Sequence, residues 1–313
     1  MKRFLARLAF GLCAATPVAA SDPVALFENW ARAEGASDTS ITVLLDGLTA
    51  YSDHADRPVD LASNSKAITA LCVASLVDDG LLRWDMPLAE AVQQDAFDAN
   101  LAELVTHSAG IGQDTTQLRM GFWLNEDTPR HAHVTDLVLE RRQQKGTRGT
   151  FSYSNENYAL LGRIIELASG QTYEDACRAR VLDPAGVSGA LSPRFGAFGA
   201  WGGWRMTMQD HATLLYHWFG SQGRGGADLL TRPHIQRADG RYYGLGMNYA
   251  TERNGLRLSH AGALAFPFGP KTGAFAVVYP FGAVVAMGYD VPIADPAKFA
   301  DIADSLGSTL AGP

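Results

Sequence analysis

Ser63 and Lys66 are the residues of this chain whose types and spacing point most directly to chemistry. The chain has only five lysines, and Lys66 is the sole charged residue between Leu61 and Val77. This apolar stretch predicts a buried helix, and burial lowers the pKa of a lysine until its neutral amine can accept a proton. Residues three apart share one face of a helix, so Ser63 would lie beside that base at the helix N-terminus. The pair predicts a nucleophilic serine activated by a lysine.

Two later segments carry further candidate groups. Tyr153 lies two residues before Asn155, between a Gly/Thr-rich turn and an apolar helical stretch, so a phenol and an amide can face one cleft. His260 lies in the β-rich segment 256–263 and is followed by Ala261, Gly262 and Ala263. Small residues at such a place let a strand backbone pass close to a ligand.

The same residues also have structural interpretations. Ser63 could cap a helix, and Lys66 could extend its amine to solvent along an apolar surface. Tyr153 could belong to the core, with Asn155 as the N-cap of the helix that follows. The residue types alone leave both interpretations open.

The hydrophobic pattern places strands near both ends of the chain and helices in the middle. Helical spacing is found over 22–34, 63–78, much of 101–182, and 299–310. Strands are predicted over 41–45, 256–263, 274–279 and 283–289. This order predicts an α+β, three-layer fold, in which an antiparallel sheet has the first and last helices on one face and a mostly helical insertion. The predicted catalytic domain is 21–313, with 21–92 and 195–313 as its α/β part and 93–194 as its mostly helical part.

The first twenty residues have the pattern of an export signal. Lys2, Arg3 and Arg7 are followed by a short apolar core and by small residues up to Ala20. This pattern predicts a signal peptide over 1–20 and a periplasmic or secreted protein. The two cysteines beyond it, Cys72 and Cys177, lie in apolar helical contexts and are expected to be buried free thiols.

Composition excludes several classes of protein. The chain of 313 residues is 47% hydrophobic and 19% charged, which is typical of a globular protein. It has 26 Lys+Arg against 33 Asp+Glu, a net charge of −7, with no basic run, so nucleic-acid binding is not expected. No apolar stretch reaches the roughly 18 residues of a transmembrane helix. No P-loop, Gly-x-Ser-x-Gly or Cys-x-x-Cys motif occurs, and neither a cofactor nor a metal is predicted.

Together, Ser63-x-x-Lys66, Tyr153-x-Asn155 and a third element on a strand resemble the serine β-lactamase and penicillin-binding-protein superfamily. The resemblance is to its class C β-lactamase, DD-peptidase and family VIII esterase-like branch. Segment 104–110, Leu-Val-Thr-His-Ser-Ala-Gly, and segment 79–82, Asp-Gly-Leu-Leu, are similar to further motifs of that branch. The resemblance covers about residues 24–310 and implies the β-lactamase/transpeptidase-like fold.

The resemblance also implies a role for each matched residue. Ser63 would be the nucleophile, Lys66 would take its proton directly or through Tyr153, and Tyr153 would return a proton to the leaving group. The acyl-serine would then be hydrolysed, with the backbone N–H groups of Ser63 and Ala263 as the oxyanion hole. The implied substrate-binding residues are Asn155, His260, Gly262 and Ala263.

The third element departs from the pattern of the family. β-Lactamases and peptidases of the superfamily usually have Lys-Thr-Gly there, and its lysine meets the substrate carboxylate. Here the strand has His260-Ala261-Gly262, which resembles the esterase and amidase branches. A literal Lys271-Thr272-Gly273 follows, but residues 266–270 predict a loop and too few strands come after it. We therefore favour His260 and keep Lys271 as the alternative.

These features predict an exported serine hydrolase that acts on a small ester or amide. The alternatives are a β-lactamase or D-Ala-D-Ala carboxypeptidase acting on β-lactams or peptidoglycan peptides, and a non-catalytic relative that keeps the fold. The expected partner is thus a small-molecule substrate, and no oligomeric state is predicted.

Other residues are assigned less central positions. His107 is expected to brace a loop, and His131 and His133 are expected to lie at the surface without a metal. Six aromatic residues could line an apolar pocket, suited to an apolar acyl or amide group, or belong to the core: Phe122, Trp123, Phe195, Phe198, Trp201 and Trp204.

Overall fold

The structure, a computed structural model, describes residues 22–141, 144–226 and 228–312, so the predicted signal peptide lies outside the described residues. Its helices are α1 Pro23–Ala33, α2 Ser65–Asp78, α3 Leu88–Val92, α4 Leu101–Val105, α5 His131–Leu139, α6 Asn155–Ser169, α7 Tyr173–Cys177, α8 Gly199–Gly202, α9 Met208–Phe219 and α10 Pro296–Leu310. Its strands are β1 Thr39–Leu45, β2 Leu48–Asp53, β3 Pro58–Asp60, β4 Ala190–Leu191, β5 Trp204–Thr207, β6 His234–Gln236, β7 Tyr242–Gly244, β8 Met247–Glu252, β9 Gly255–Ala265, β10 Lys271–Val278 and β11 Ala283–Tyr289.

Eight strands form one antiparallel sheet in the order β2-β1-β11-β10-β9-β8-β7-β6. The first and last strands of the sequence are neighbours in this sheet, because β1 pairs with β11 in a register that places Val43 opposite Val285. Next to them, β10 pairs with β9 so that Ala274 lies opposite Gly262. A small second sheet, β3-β5-β4, lies beside the large one.

Both faces of the large sheet are covered, so its central strands bury every side chain over long runs. Alternate residues of β10 point to opposite faces. Phe275 packs on Phe299 of α10, in a cluster that also contains Phe27 of α1, whereas Ala276 belongs to the core around α2. These layers confirm the predicted α+β fold with an antiparallel sheet and the first and last helices on one face.

The elements around the candidate site agree closely with the predicted ones. Strand β11 has the predicted bounds, and β9 extends the predicted strand by one residue at one end and two at the other.

One hydrophobic core cluster runs through the helical middle and into the sheet, and the division of the chain into an α/β part and a mostly helical part stays a prediction. Cys72 and Cys177 are buried and free, as expected. In the described ranges, every helix is too short or too polar to cross a membrane.

Candidate active site

Ser63 lies in a single helical turn, Ala62–Asn64, that leads directly into α2. Helix α2 is buried on all sides from Ser65 to Leu76, since its side chains are almost all small or apolar. Ala62, just before the serine, has a φ of +48°, a left-handed conformation that costs free energy in a residue with a side chain. Strain of this kind is concentrated at functional sites, where the surrounding structure holds it.

Lys66 is fully buried and reaches three oxygen atoms. Its Nζ lies 3.2 Å from Ser63 Oγ, 2.8 Å from Asn155 Oδ1 and 2.8 Å from the carbonyl oxygen of Trp201. Burial lowers the pKa of Lys66 from 10.5 to about 7, although the nearby Asp114 carboxylate acts in the opposite direction. Lys66 is therefore partly neutral at neutral pH.

The three neighbours decide where the lone pair of a neutral Lys66 points. The amine has two hydrogens, and Asn155 Oδ1 and the Trp201 carbonyl oxygen can only accept them. The lone pair is then left for the Ser63 hydroxyl, which can donate its hydrogen. This arrangement makes Lys66 a base aimed at Ser63.

A polar loop before α5 fixes the orientation of Asn155. Thr116 Oγ1 donates to Asp114 Oδ1 at 2.6 Å and so accepts from Asn155 Nδ2 at 3.1 Å. This leaves Asn155 Oδ1 for Lys66, while Asp114 Oδ2 accepts the backbone N–H of Asn155 at 3.0 Å. Asp114 and Thr116 are not predicted from the sequence, where their only signal is the short polar run Asp-Thr-Thr.

Tyr153 stands over Lys66, whose Nζ lies 4.9 Å from the centre of its ring. Desolvation raises the pKa of the Tyr153 phenol above its ordinary value, and a hydrogen bond with Ser63 opposes the rise. Because 43% of the residue is exposed to solvent, the desolvation and the rise in pKa are reduced. The phenol nevertheless stays protonated at neutral pH, so in the resting site Tyr153 can donate a proton, whereas Lys66 is the group that can accept one.

His260 of β9 lies next to the Tyr153 hydroxyl, with its Nε2 3.5 Å from Tyr153 Oη. Its Nδ1 donates to the carbonyl oxygen of Gly246, which can only accept, so Nε2 carries the lone pair and accepts from Tyr153. Burial, and then the charge of Lys66, lower the pKa of His260 to about 3. His260 is therefore a neutral acceptor at neutral pH.

His107 braces the loop that carries Tyr153, as expected. Its carbonyl oxygen accepts from the Ser152 backbone N–H at 2.8 Å, and its Nδ1 accepts from the Ser154 N–H at 3.3 Å. The two bonds flank Tyr153, and the His107 ring lies 4.4 Å from the tyrosine ring. Burial lowers the pKa of His107 well below its ordinary value, so this brace is neutral.

Strand β9 passes directly beside the serine turn. A Cβ on Gly262 would lie 2.5 Å from the Leu61 carbonyl oxygen and 2.8 Å from the Ser63 backbone nitrogen, so only glycine fits there. Strand β8 pairs with β9 only as far as Ser259, and among the described strands the stretch 260–265 is paired on one side, by β10. One backbone edge next to Ala263 therefore faces the serine turn.

A cavity of about 410 Å³ opens from this site. Its lining includes Ser63, Tyr153 and His260, and on the Tyr153 side it includes Arg237 and Arg241. The site thus combines a serine, a partly neutral amine, a phenol and an unpaired strand edge beside one hollow. That set of groups is suited to acyl transfer through a serine ester.

The structure locates three further groups of residues that the sequence singled out, and it corrects one expectation. Lys271 is exposed at the start of β10 and lines two surface hollows, whose linings include neither Ser63 nor Tyr153 nor His260. His131 is buried, contrary to the prediction, because its Nε2 accepts the backbone N–H of Ala200 and its Nδ1 bonds Glu166. Of the six aromatic residues left open above, Phe122 is exposed and the other five are buried core residues: Trp123, Phe195, Phe198, Trp201 and Trp204.

The fold and this site define a class, the serine β-lactamase and penicillin-binding-protein superfamily, and comparison with known proteins confirms it. The sequence profile of the Beta-lactamase family matches residues 49–289. The chain therefore belongs to the Beta-lactamase family.

Penicillin-binding protein 4 of Amycolatopsis lactamdurans is 33% identical over 148 residues, which are 44% of this chain and 36% of that protein. The match thus spans about a third of the curated relative. The penicillin-binding protein homologue from Pyrococcus abyssi has a TM-score of 0.74 at 19% identity, covering 91% of this chain and 76% of that one. The class C beta lactamase from Rhodobacter sphaeroides has a TM-score of 0.73 at 15% identity, covering 93% and 99%. These structures share the fold.

Proposed function

We propose that the protein is an exported serine hydrolase, which forms an acyl-enzyme on Ser63 and hydrolyses a small ester or amide. The observation that carries this proposal is the position of Lys66 Nζ. Two obligate acceptors take its hydrogens and leave its lone pair for Ser63 Oγ, 3.2 Å away. The pattern of residues 1–20 supports export.

In the acylation step, Lys66 takes the proton of Ser63 while Oγ attacks the substrate carbonyl carbon. The charge that develops on the carbonyl oxygen is held by the backbone N–H groups of Ser63 and Ala263. When the tetrahedral intermediate collapses, Tyr153 donates its proton to the departing oxygen or nitrogen, and Lys66 returns a proton to Tyr153. Water then enters, loses a proton along the same route and hydrolyses the acyl-serine.

The remaining residues position these groups. Asn155 holds the amine of Lys66 and keeps one Nδ2 hydrogen that can meet a substrate carbonyl. Gly262 lets β9 approach the serine turn closely enough for the Ala263 N–H to reach the same oxygen. His260 accepts the Tyr153 hydroxyl and so orients its proton, in place of a cation that would bind a carboxylate.

A second candidate is a β-lactamase or a D-Ala-D-Ala carboxypeptidase, and one observation favours it. Arg237 and Arg241 line the cavity on the Tyr153 side, where the leaving group would lie. Both guanidinium groups bond the single Asp239 carboxylate, so the three side chains together carry one net positive charge. That charge would suit a leaving group with a carboxylate.

The test is an assay of the mature protein against p-nitrophenyl acetate and a chromogenic cephalosporin, with Ser63→Ala as the control. We expect ester hydrolysis, and we expect intact-mass spectrometry of the quenched reaction to show an acyl adduct that Ser63→Ala lacks. Faster turnover of the cephalosporin than of the ester would favour the second candidate. An inert wild-type protein without an adduct would refute both and favour a non-catalytic relative.

A further inference from the structure

Three large apolar side chains stand in solvent on two segments that lead away from the candidate active site. Phe268 is 111% exposed, Phe122 85% and Leu118 75%. In the described part of the chain they are three of the four most exposed large hydrophobic residues, and the fourth, Leu48 at 77%, lies on the remote edge strand β2. We call Leu118, Phe122 and Phe268 the apolar rim. Such a concentration of exposed apolar surface marks a binding site more often than scattered single residues do.

Both segments of the apolar rim start at the candidate active site. Leu118 and Phe122 follow Thr116, which bonds Asn155. Phe268 lies in the turn that follows β9, the strand of Gly262 and Ala263. The two segments touch, because a Cβ on Gly121 would lie 3.9 Å from the Phe266 ring and one on Gly269 would lie 3.8 Å from the Leu124 side chain.

The backbone of Phe268 has a conformation that is unfavourable for phenylalanine. Its φ is +58°, which favours glycine or asparagine and is strained for a bulky side chain. Phe266, two residues earlier, anchors the turn by packing on Phe195 with ring centres 6.0 Å apart. Phe268 instead projects away from the protein. Both the strain and the exposure cost free energy, and no packing within the described chain offsets them.

The proposed mechanism determines on which side of Ser63 the leaving group and the acyl group of the substrate lie. Tyr153 protonates the leaving group, so the leaving group lies on the side of Tyr153, His260 and Arg237. The carbonyl lies between the N–H groups of Ser63 and Ala263. The acyl group must therefore extend the other way, along the unpaired edge of β9 toward the apolar rim.

We propose that the apolar rim binds the acyl group of the substrate, so that the enzyme selects esters or amides of medium-length aliphatic or aromatic acids over acetyl compounds. This inference rests on the proposed function. The inference concerns the acyl group of the substrate and makes no claim about the leaving group.

The test compares p-nitrophenyl acetate with p-nitrophenyl hexanoate, because the two esters share a leaving group and differ only in the acyl chain. We expect the wild-type protein to have the higher kcat/KM for the hexanoate. Phe122→Ser and Phe268→Asn should lower kcat/KM for the hexanoate about tenfold and change it for the acetate less than about twofold. Leu48→Ser, equally exposed but remote, is the matched control and should change neither. Phe268→Asn should keep its melting temperature, since asparagine tolerates a positive φ.

The outcomes separate this inference from the proposed function. If wild-type protein hydrolyses neither ester, the proposed function fails and takes the inference with it. If it hydrolyses the acetate but prefers it over the hexanoate, or if the rim variants keep the wild-type preference, only the inference is overturned. A loss in Leu48→Ser as large as in the rim variants would also overturn it, because the effect would then follow from surface polarity anywhere on the protein.

Discussion

The two faces of the central sheet are both buried, but they are built from different side chains. On the face of α1 and α10, the core is almost wholly apolar, with aromatic contacts such as Phe27 with Tyr289 and Phe275 with Phe299. On the face of α2, the core encloses Lys66, whose burial is costly unless its amine is paired or neutral. Both faces therefore stabilise the fold, but on the α2 face part of the stabilising packing is offset by the cost of holding reactive groups away from water.

The largest effect is expected from a substitution on the α2 face that removes a reactive group and leaves the fold intact. Ser63→Ala should lower kcat at least about 10³-fold, because it removes the nucleophile. It should leave the melting temperature nearly unchanged, since the Ser63 side chain is partly exposed and fills no core space. Steady-state kinetics and thermal melting check this together. A variant with wild-type turnover would refute the mechanism.

The second prediction concerns the opposite face. Phe27→Ala should lower the free energy of unfolding by about 3–5 kcal/mol, because it opens a cavity among fully buried rings. The activity of the protein that remains folded should stay the same, since α1 lies behind the sheet. Denaturant melts and assays at low temperature measure the two quantities, with exposed Leu81→Ala as the control. A loss of activity without a loss of stability would contradict the division between the faces.

The third prediction compares the two candidates for the third sequence element. His260→Ala should lower kcat/KM about tenfold to a hundredfold, because Tyr153 loses the acceptor that orients its proton. Lys271→Ala should change kcat/KM less than about twofold, since Lys271 lies outside the cavity of Ser63. The reverse ranking in the same ester assay would move the third element to Lys271.

The smallest expected effect is a shift in a pH profile. Activity needs a neutral Lys66, so kcat/KM should rise with pH through about 7 and level off above it. The other titratable groups that face Lys66 have raised or lowered pKa values outside this region: His107 and His260 lie below it, and Tyr153, Tyr158 and Tyr243 lie above it.

Asp114→Asn sharpens this assignment. The Asp114 carboxylate stabilises the charged form of Lys66, so removing its charge should lower the pKa of Lys66 and move the rising limb to lower pH. Exposed Asp136→Asn, on α5, is the matched control and should leave the limb in place. If the rising limb of the pH profile does not move in Asp114→Asn, a group other than Lys66 controls the rise of kcat/KM with pH.

Local patterns were sufficient for most of the elements around the site. Alternation and short apolar runs predicted β9, β10 and β11, because two covered faces leave few polar residues in central strands. They failed for His131, which was expected at the surface. Its burial depends on Glu166 and on the backbone of Ala200, and neither partner can be inferred from the neighbourhood of the histidine.

The residue types and their spacing are enough to identify the candidate reactive groups. Ser63 and Lys66 share one helix face by their spacing alone, and the apolar run around them predicts a buried helix whatever covers it. Which protons these groups carry depends instead on contacts that form when the chain folds. The lone pair of Lys66 is directed by Asn155 and by the Trp201 carbonyl, 89 and 135 residues away along the chain. Hydrogen bonds of that kind depend on atoms that folding brings within 3 Å, and no local pattern in the sequence records them.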